Sequence, residues 1–186
     1  NGTEAKVGTL GSKYEFFHEW KRLSEQEQGS VALETMLRGI CKKENFLDLL
    51  ENFILFDHSG GHTAKILARN HQYLGVNEAI KAYEARKLNN GKLGVFWHTQ
   101  GSGKSYSMVF LAQKIRRKFS GSPTIVILTD RDELNTQISD TFENCGILGK
   151  AKASQFIASS GDDLIDKLKG NPSFIFTLIQ KFNKTD

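Results

Sequence analysis

The segment His98-Thr99-Gln100-Gly101-Ser102-Gly103-Lys104-Ser105 constrains this chain more than any other. It lies between a short apolar run, residues 93–98 (LGVFWH), and residues 103–119 (GKSYSMVFLAQKIRRKF), whose apolar positions recur at helical spacing. Strand, glycine-rich turn and helix together make a loop that wraps an anion. Gly101 and Gly103 let successive backbone N–H groups converge on one point. The helix that follows adds about half a positive charge there. Lys104 is expected to reach terminal phosphates as a point charge, and Ser105 to offer its hydroxyl to Mg²⁺. Thr99, Gln100, Gly101, Ser102 and Gly103 complete the cradle. The loop departs from GxxxxGK[ST] at one place, His98, where the first glycine would stand. The competing reading, a glycine turn followed by an exposed lysine, does not account for the strand and helix patterns on either side.

Those patterns continue beyond the loop. Residues 103–119 place Met108, Leu111, Ala112, Ile115 and Phe119 on one helical face. Residues 123–130 (PTIVILTD) are a near-continuous apolar run, the mark of a strand buried on both faces. Residues 132–146 predict a helix with Leu134, Ile138 and Phe142 inward and Gly146 as its stop. A short helix over 161–170 and a third strand over 173–179 follow. This alternation implies a parallel sheet with right-handed crossovers. Upstream, residues 70–88 read as a helix with Tyr73, Val76, Ile80 and Tyr83 in its stripe, stopped by Asn89, Asn90 and Gly91. Residues 31–69 read as mainly helical, with Val31, Met36, Leu37 and Ile40, then Phe46, Leu47, Leu50 and Phe53, at helical spacing. An apolar run at 53–56 and a glycine turn at 58–62 close that stretch. Residues 1–30 are rich in Gly, Ser, Glu and Gln around one aromatic knot at 14–20. The expected fold class is α/β, a parallel sheet with a P-loop, preceded by a mainly helical linker segment.

Composition narrows the field modestly. Among 186 residues, 39% are hydrophobic and 25% charged, which suits one core-bearing domain with an appendage. The net charge of +4 permits nucleic-acid binding without demanding it. Cys41 and Cys145 are far apart and lack metal-type spacing, so two reduced, buried thiols are expected in a cytoplasmic protein. No apolar run approaches the roughly 20 residues a bilayer span requires. The chain opens without Met, and a piece of a longer protein is expected. The triplets Glu4-Ala5-Lys6 and Glu19-Trp20-Lys21 look like a nuclease E-x-K, but no Asp precedes them, and they are read as incidental. The five His are scattered without metal partners. Lys114, Arg116, Arg117 and Lys118 read as a solvated helix face.

Four stretches, KILARNHQYLGVNEAI (65–80), GVFWHTQGSGKSYSMVFLA (94–112), PTIVILTDRDELNTQI (123–138) and FTLIQKF (176–182), occur in an order and spacing that resemble the restriction (motor) subunit of type I restriction-modification enzymes, a superfamily two helicase-like translocase. The opening residues look like the exit of that family's nuclease domain, and residues 36–56 like its bridge to the motor. The resemblance covers nearly the whole chain, and it implies an incomplete RecA-like parallel sheet, with residues 1–30 an irregular tail of the preceding nuclease domain, 31–69 a helical bridge and 70–186 the N-terminal part of the first RecA-like motor domain. It implies an ATP site with Mg²⁺, in which Gln72 hydrogen-bonds the adenine edge and Arg69 helps hold the nucleotide. An amide suits N6 and N7 of adenine because it offers a donor and an acceptor together. The resemblance further implies that Thr129, Asp130 and Arg131 form a motif contacting DNA phosphates, and that Gln180, Lys181 and Phe182 end the third strand in a related motif. Leu178 stands where the family often has Thr. Alternatively, Thr129 or Asp130 caps the following helix. The implied partners are double-stranded DNA and the methyltransferase and specificity subunits.

The family places a DEAH-like acidic pair shortly after residue 182, and this chain does not contain it. The implied function is therefore the ATP-binding part of a motor that couples hydrolysis to DNA translocation and cleavage in the intact enzyme. The piece itself is expected to bind nucleotide with little turnover. The rival readings are a docking or ATP-binding piece of another P-loop DNA helicase, and a small-molecule kinase. The kinase is disfavoured because no Arg-rich lid follows the second strand.

Overall fold

Six helices and four short strands are built by the residues that the computed structural model describes, 3–27 and 31–182. The opening Asn1-Gly2, the Ser30 boundary and the last four residues lie outside them. The chain forms two compact units, one of residues 1–56 and 64–114, the other of residues 57–63 and 115–186.

The first unit begins with an irregular segment holding a 3-10 turn at Tyr14–Phe16. Helix α1 (Ala32–Met36) runs into a π-helical turn at Leu37–Cys41, and α2 (Lys43–Asn52) follows. Within the stretch expected to be mainly helical, residues 32–41 and 43–52 are helical while 54–57 and 64–67 are strands, and of the predicted helical face only Phe53 is buried. Phe46, Leu47 and Leu50 are exposed, while Leu49 and Phe53 are buried. Residues three and four apart share a helix face, so several faces fit this apolar-rich stretch, and packing selects the one ending at Phe53. Strands β1 (Ile54–Asp57) and β2 (Ala64–Leu67) pair across the expected glycine turn, where Gly61 takes φ +72°. Helix α3 (Asn70–Glu84) buries Tyr73, Val76 and Ile80 as predicted, then gives way to turns that end at Asn90 and Gly91, both with positive φ.

Helix α4 (Lys104–Lys118) begins at the loop lysine. Its buried residues are Ser107, Val109, Phe110, Ala112, Lys114 and Ile115, whereas Met108 is exposed. Ala112 and Ile115 of the predicted face are thus buried, and the rest of the inward face is rotated away from it. Phe53 is the hub of the unit's core, with ring centroids 4.7 Å from Tyr73 and 5.6 Å from Phe110. Such aromatic pairs add about 0.5–1.5 kcal/mol beyond area burial. The turn before α4 is a further correction. Residues 93–98 form neither strand nor bridge. Gly94 sits at φ +118°, and the side chains of Val95 and Trp97 are largely exposed. A strand is stabilised by a hydrogen-bonded neighbour, and no strand of the described residues pairs with this segment.

In the second unit, β3 (Ile125–Thr129) and β4 (Phe174–Leu178) pair in parallel, with Ile125 opposite Phe174 and Thr129 opposite Leu178. Helices α5 (Asp132–Asn144) and α6 (Gly161–Lys169) lie between them in sequence. This is the parallel crossover that the sequence predicts. β4 is buried throughout, but β3 alternates, with Val126 and Leu128 exposed, so the expectation of two buried faces holds for β4 and fails for β3. Phe142 of α5 packs edge-on against Phe174 and Phe176, with centroids 5.5 and 5.3 Å away. Leu134 is exposed, leaving Ile138 and Phe142 as the inward residues, and Gly146 follows at φ +71°. The residue types of α6 explain its ends. Ser160 accepts from the Asp163 amide, Asp162 and Asp163 occupy the first turn, and Lys167 and Lys169 the last, each favourable to the helix dipole.

Cys145 is half-buried, and burial, followed by the nearby Asp57 charge, raises its thiol to about 12. Cys41 is exposed, contrary to the expectation of burial, and both thiols are free.

Candidate functional site

The glycine-rich loop lies in the first unit, and its backbone has the conformations its residues permit. Gly101 and Gly103 take φ +76° and +83°, where an L side chain is strained. A Cβ at Gly103 would lie 2.8 Å from Gln72 Nε2. The Ser102 amide turns back to Thr99 O at 3.3 Å, and the Ser107 amide donates to Gly103 O at 3.1 Å as α4 starts. Lys104 is exposed, and its Nζ donates to His98 O at 2.9 Å and Thr99 O at 3.0 Å. The ammonium thus caps two loop carbonyls. The loop also holds two buried polar atoms that make no hydrogen bond, His98 Nδ1 and Ser102 Oγ. Flexible glycines, a cation folded over the turn and two unspent polar atoms fit a phosphate chain with its cation.

Gln72 is brought to this loop, although 31 residues separate it from Gly103. Its Oε1 accepts from the Arg69 amide at 2.8 Å and its Nε2 donates to Gly103 O at 2.9 Å. It occupies the N3 position of α3, where a glutamine that reaches back satisfies an otherwise unpaired amide at the helix start. It is buried. Each function has one bond, so the amide retains a second hydrogen and a second lone pair. Two neighbours of Gln72 that sequence reasoning passed over also hold the loop or its surroundings. His71 Nε2 lies 3.0 Å from Ser102 O, which makes Nε2 the protonated nitrogen, and Asn70 reaches the opening segment. Their only signal was adjacency to Gln72.

Histidines cluster beside the loop. The His71 and His98 rings meet edge-on at 4.7 Å, and Phe96 lies 4.4 Å from His98. Burial lowers the pKa of His98, and the charges of His71 and Lys104 lower it further, against a raising pull from Glu25. His18 is lowered as well, chiefly by burial. A cavity of about 1410 Å³ opens here, lined by Arg69, His71, Phe96, His98, Lys104 and Met108 among others. It exceeds the roughly 300–1,000 Å³ of ordinary ligand pockets.

A second polar cluster in this unit overturns one expectation. Lys114 is buried instead of solvated. Its Nζ donates to Asp48 Oδ1 and, at 2.6 Å, to Asn77 Oδ1, and lies 4.8 Å from the Phe53 ring centroid. Arg116, Arg117 and Lys118 are exposed as predicted.

The second unit carries the remaining candidates at the carboxyl ends of its two strands, the edge where ligands collect in parallel sheets. Thr129 ends β3 and is buried, its hydroxyl 3.4 Å from Asn135 Oδ1. Arg131 is largely exposed and lies 3.5 Å from Asp130. The first residue before α5 is Arg131, and no side chain caps that helix, so neither Thr129 nor Asp130 serves as the cap. Gln180 and Lys181 lie in a 3-10 turn, Ile179–Phe182, directly after β4. Gln180 Nε2 donates to Asp130 O at 3.0 Å, which brings the two motifs together, and Lys181 Nζ donates to Ala158 O. In the Glu19-Trp20-Lys21 triplet, Trp20 is core and the charges face each other at 3.9 Å. No group of three or more His, Cys, Asp or Glu among the described residues is placed to hold a metal ion. No helix among them is long and apolar enough to cross a membrane.

A small parallel sheet with helices, and a glycine-rich turn opening a long helix, are compatible with part of a RecA-like ATPase domain. The chain belongs to the SWI2/SNF2 ATPase family, whose family model matches residues 71–186. Its relatives are endonuclease subunits of type I restriction enzymes. It is 36% identical to the type I restriction enzyme HindI endonuclease subunit of Haemophilus influenzae, over 98% of this chain and 18% of that protein. It is 30% identical to a putative type I restriction enzyme MjaIXP endonuclease subunit of Methanocaldococcus jannaschii, over 99% and 19% respectively. A second protein of that archaeon, the putative MjaVIIIP endonuclease subunit, is 35% identical over 66% of this chain and 12% of its own. The chain thus spans less than a fifth of the length of the relatives it matches.

Proposed function

We propose that this chain is the ATP-binding part of the motor of a type I restriction endonuclease, which in the intact enzyme couples ATP hydrolysis to translocation along double-stranded DNA and to cleavage. The observation that carries the reading is Lys104 at the first position of α4, its ammonium folded onto the His98 and Thr99 carbonyls of a turn with two glycines at positive φ. Arriving phosphates would replace those carbonyls as the ammonium's partners. The gain is charge-assisted hydrogen bonding at a helix N-terminus that already favours negative charge.

The remaining roles follow from what each group still has to offer. Thr99, Gln100, Gly101, Ser102 and Gly103 would line the phosphate chain. Ser105 would place its hydroxyl on Mg²⁺, which when bound neutralises the phosphate oxygens. Gln72 would read adenine with its unspent hydrogen and lone pair, while Arg69, which heads the same helix, would stand beside the nucleotide. Arg131 and Lys181 are suited by charge to DNA phosphates, and Thr129 and Gln180 by hydrogen bonding. The acidic pair that orients water in such motors would come from the rest of the intact enzyme, so this chain alone should bind nucleotide and turn it over little. Work on DNA beside methyltransferase and specificity subunits places the protein in the cytoplasm.

Titration with fluorescent ATP and GTP analogues tests the reading. ATP should bind more tightly than GTP, and Gln72→Ala should remove the preference. Equal affinity of the wild-type chain for both would sink the adenine role of Gln72.

A further inference from the structure

We propose that Asn70 is a positioning residue for the nucleotide loop, clamping the opening strap of residues 17–23 to the first turn of α3 so that strap and loop are held by one stretch, Arg69 to Gln72. The proposal rests on the reading of the Lys104 loop as a nucleotide site.

Asn70 is the first residue of α3 and is buried. Its carboxamide meets both backbone groups of Arg22. The Arg22 amide donates to Oδ1 at 3.0 Å, and Nδ2 donates to Arg22 O at 2.9 Å. One side chain thereby imitates a rung of a β-ladder with a residue 48 positions away. Two residues before Arg22, Trp20 is only 2% exposed, its ring 5.3 Å from that of Tyr73. Trp20 is also packed so closely on Gly39 that a Cβ there would lie 2.2 Å from the indole nitrogen. The strap is therefore anchored twice, by an inserted ring and by the clamp.

The same helical turn grips the loop. His71 holds Ser102 O and Gln72 holds Gly103 O, while Gln72 also takes the Arg69 amide. Asn70 lies between these residues in sequence, so the bond that fixes the strap also fixes the direction from which His71 and Gln72 approach the loop. Arriving phosphate draws the Lys104 ammonium away from the His98 and Thr99 carbonyls. Any rearrangement this imposes at Ser102 and Gly103 reaches the first turn of α3, and through Asn70 it reaches the strap. Linkage of this kind is reciprocal: what loosens the strap weakens nucleotide binding, and bound nucleotide steadies the strap.

Hydrogen exchange measured by mass spectrometry on the whole chain, with and without Mg-ATP, reads this directly. In the wild type, nucleotide should slow exchange in peptides covering 17–23. Asn70→Ala should abolish that slowing and weaken Mg-ATP binding about fivefold, the factor expected from about 1 kcal/mol of net hydrogen bonding. Gly39→Ala, which displaces Trp20 without touching Asn70, should weaken binding in the same direction. The proposal is overturned if the wild type binds nucleotide without protecting the strap. It is equally overturned if either variant loosens the strap yet binds Mg-ATP within twofold of the wild type. Should Asn70→Ala fail to fold, the wild-type comparison decides. A Lys104→Ala control that binds as well as the wild type would instead overturn the nucleotide site itself.

Discussion

The Lys114 node offers the sharpest test of the fold. Lys114 is almost fully buried, and Asp48, its carboxylate partner 66 residues away, has a side chain only 21% exposed. The node ties α2, α3 and α4 together, because Asn77 bonds both charged partners and Asn52 donates to Asp48 at 2.9 Å. Tyr73 belongs to it too. Burial, then the charge and hydrogen bond of Asp48, push its phenol well above the usual range. Lys114→Met keeps the stem's packing on Phe53 and leaves the Asp48 carboxylate without its cation. Breaking one half of a buried pair costs about 3–5 kcal/mol, whereas replacing both halves by apolar groups is often neutral or better. At roughly 2–4 °C per kcal/mol for a chain of this size, Lys114→Met should lower Tm by about 6–20 °C, followed by circular dichroism. The double variant Lys114→Met with Asp48→Leu should recover most of that loss. A single variant within about 0.5 kcal/mol of the wild type, or a double variant no better than the single, would refute the reasoning.

Two further outcomes follow from the loop and its histidines. Gly103→Ala puts a methyl group 2.8 Å from Gln72 Nε2 at a backbone φ of +83°, a conformation costing about 1–2 kcal/mol for an L residue. It should displace the Gln72 bond and reduce nucleotide affinity at least tenfold in a direct titration. His18 and His98 both have pKa values below the ordinary 6.5 in the folded chain, so the unfolded chain holds their protons more tightly. Stability from this source is complete above pH 6.5 and declines as the pH falls below it. The urea midpoint should drop between pH 7.5 and pH 5.5, and His98→Gln should lessen the drop. A midpoint that rises on acidification, or a drop unchanged in that variant, would contradict the assignment.

Local pattern sufficed for α3, where Tyr73, Val76 and Ile80 repeat at helical spacing, and for β3, α5, α6 and β4, whose alternation foretold a parallel pair. The glycine-rich turn that opens α4 was legible because its glycines and lysine lie within eight residues. The rest depended on distant partners. Residues 93–98 have the composition of a strand but no neighbour to pair with in the described chain. Lys114 looked like one of four surface cations, and Asp48 and Asn77, on two other helices, help to make its burial tolerable. β3 read as buried on both sides because its apolar residues are continuous, yet nothing in the run shows which face is covered. Asn70 carried no signal of its own, since its partner is the backbone of Arg22, and a backbone group has no sequence signature.

The central claim is that nucleotide is held at the Lys104 loop. Isothermal titration of Mg-ATP into the wild-type chain and into Lys104→Ala tests it most directly. The account predicts saturable binding by the wild type and at least a tenfold loss in the variant, with the helical signal unchanged. Equal affinity in the two proteins, or no binding by a folded wild-type chain, would contradict it.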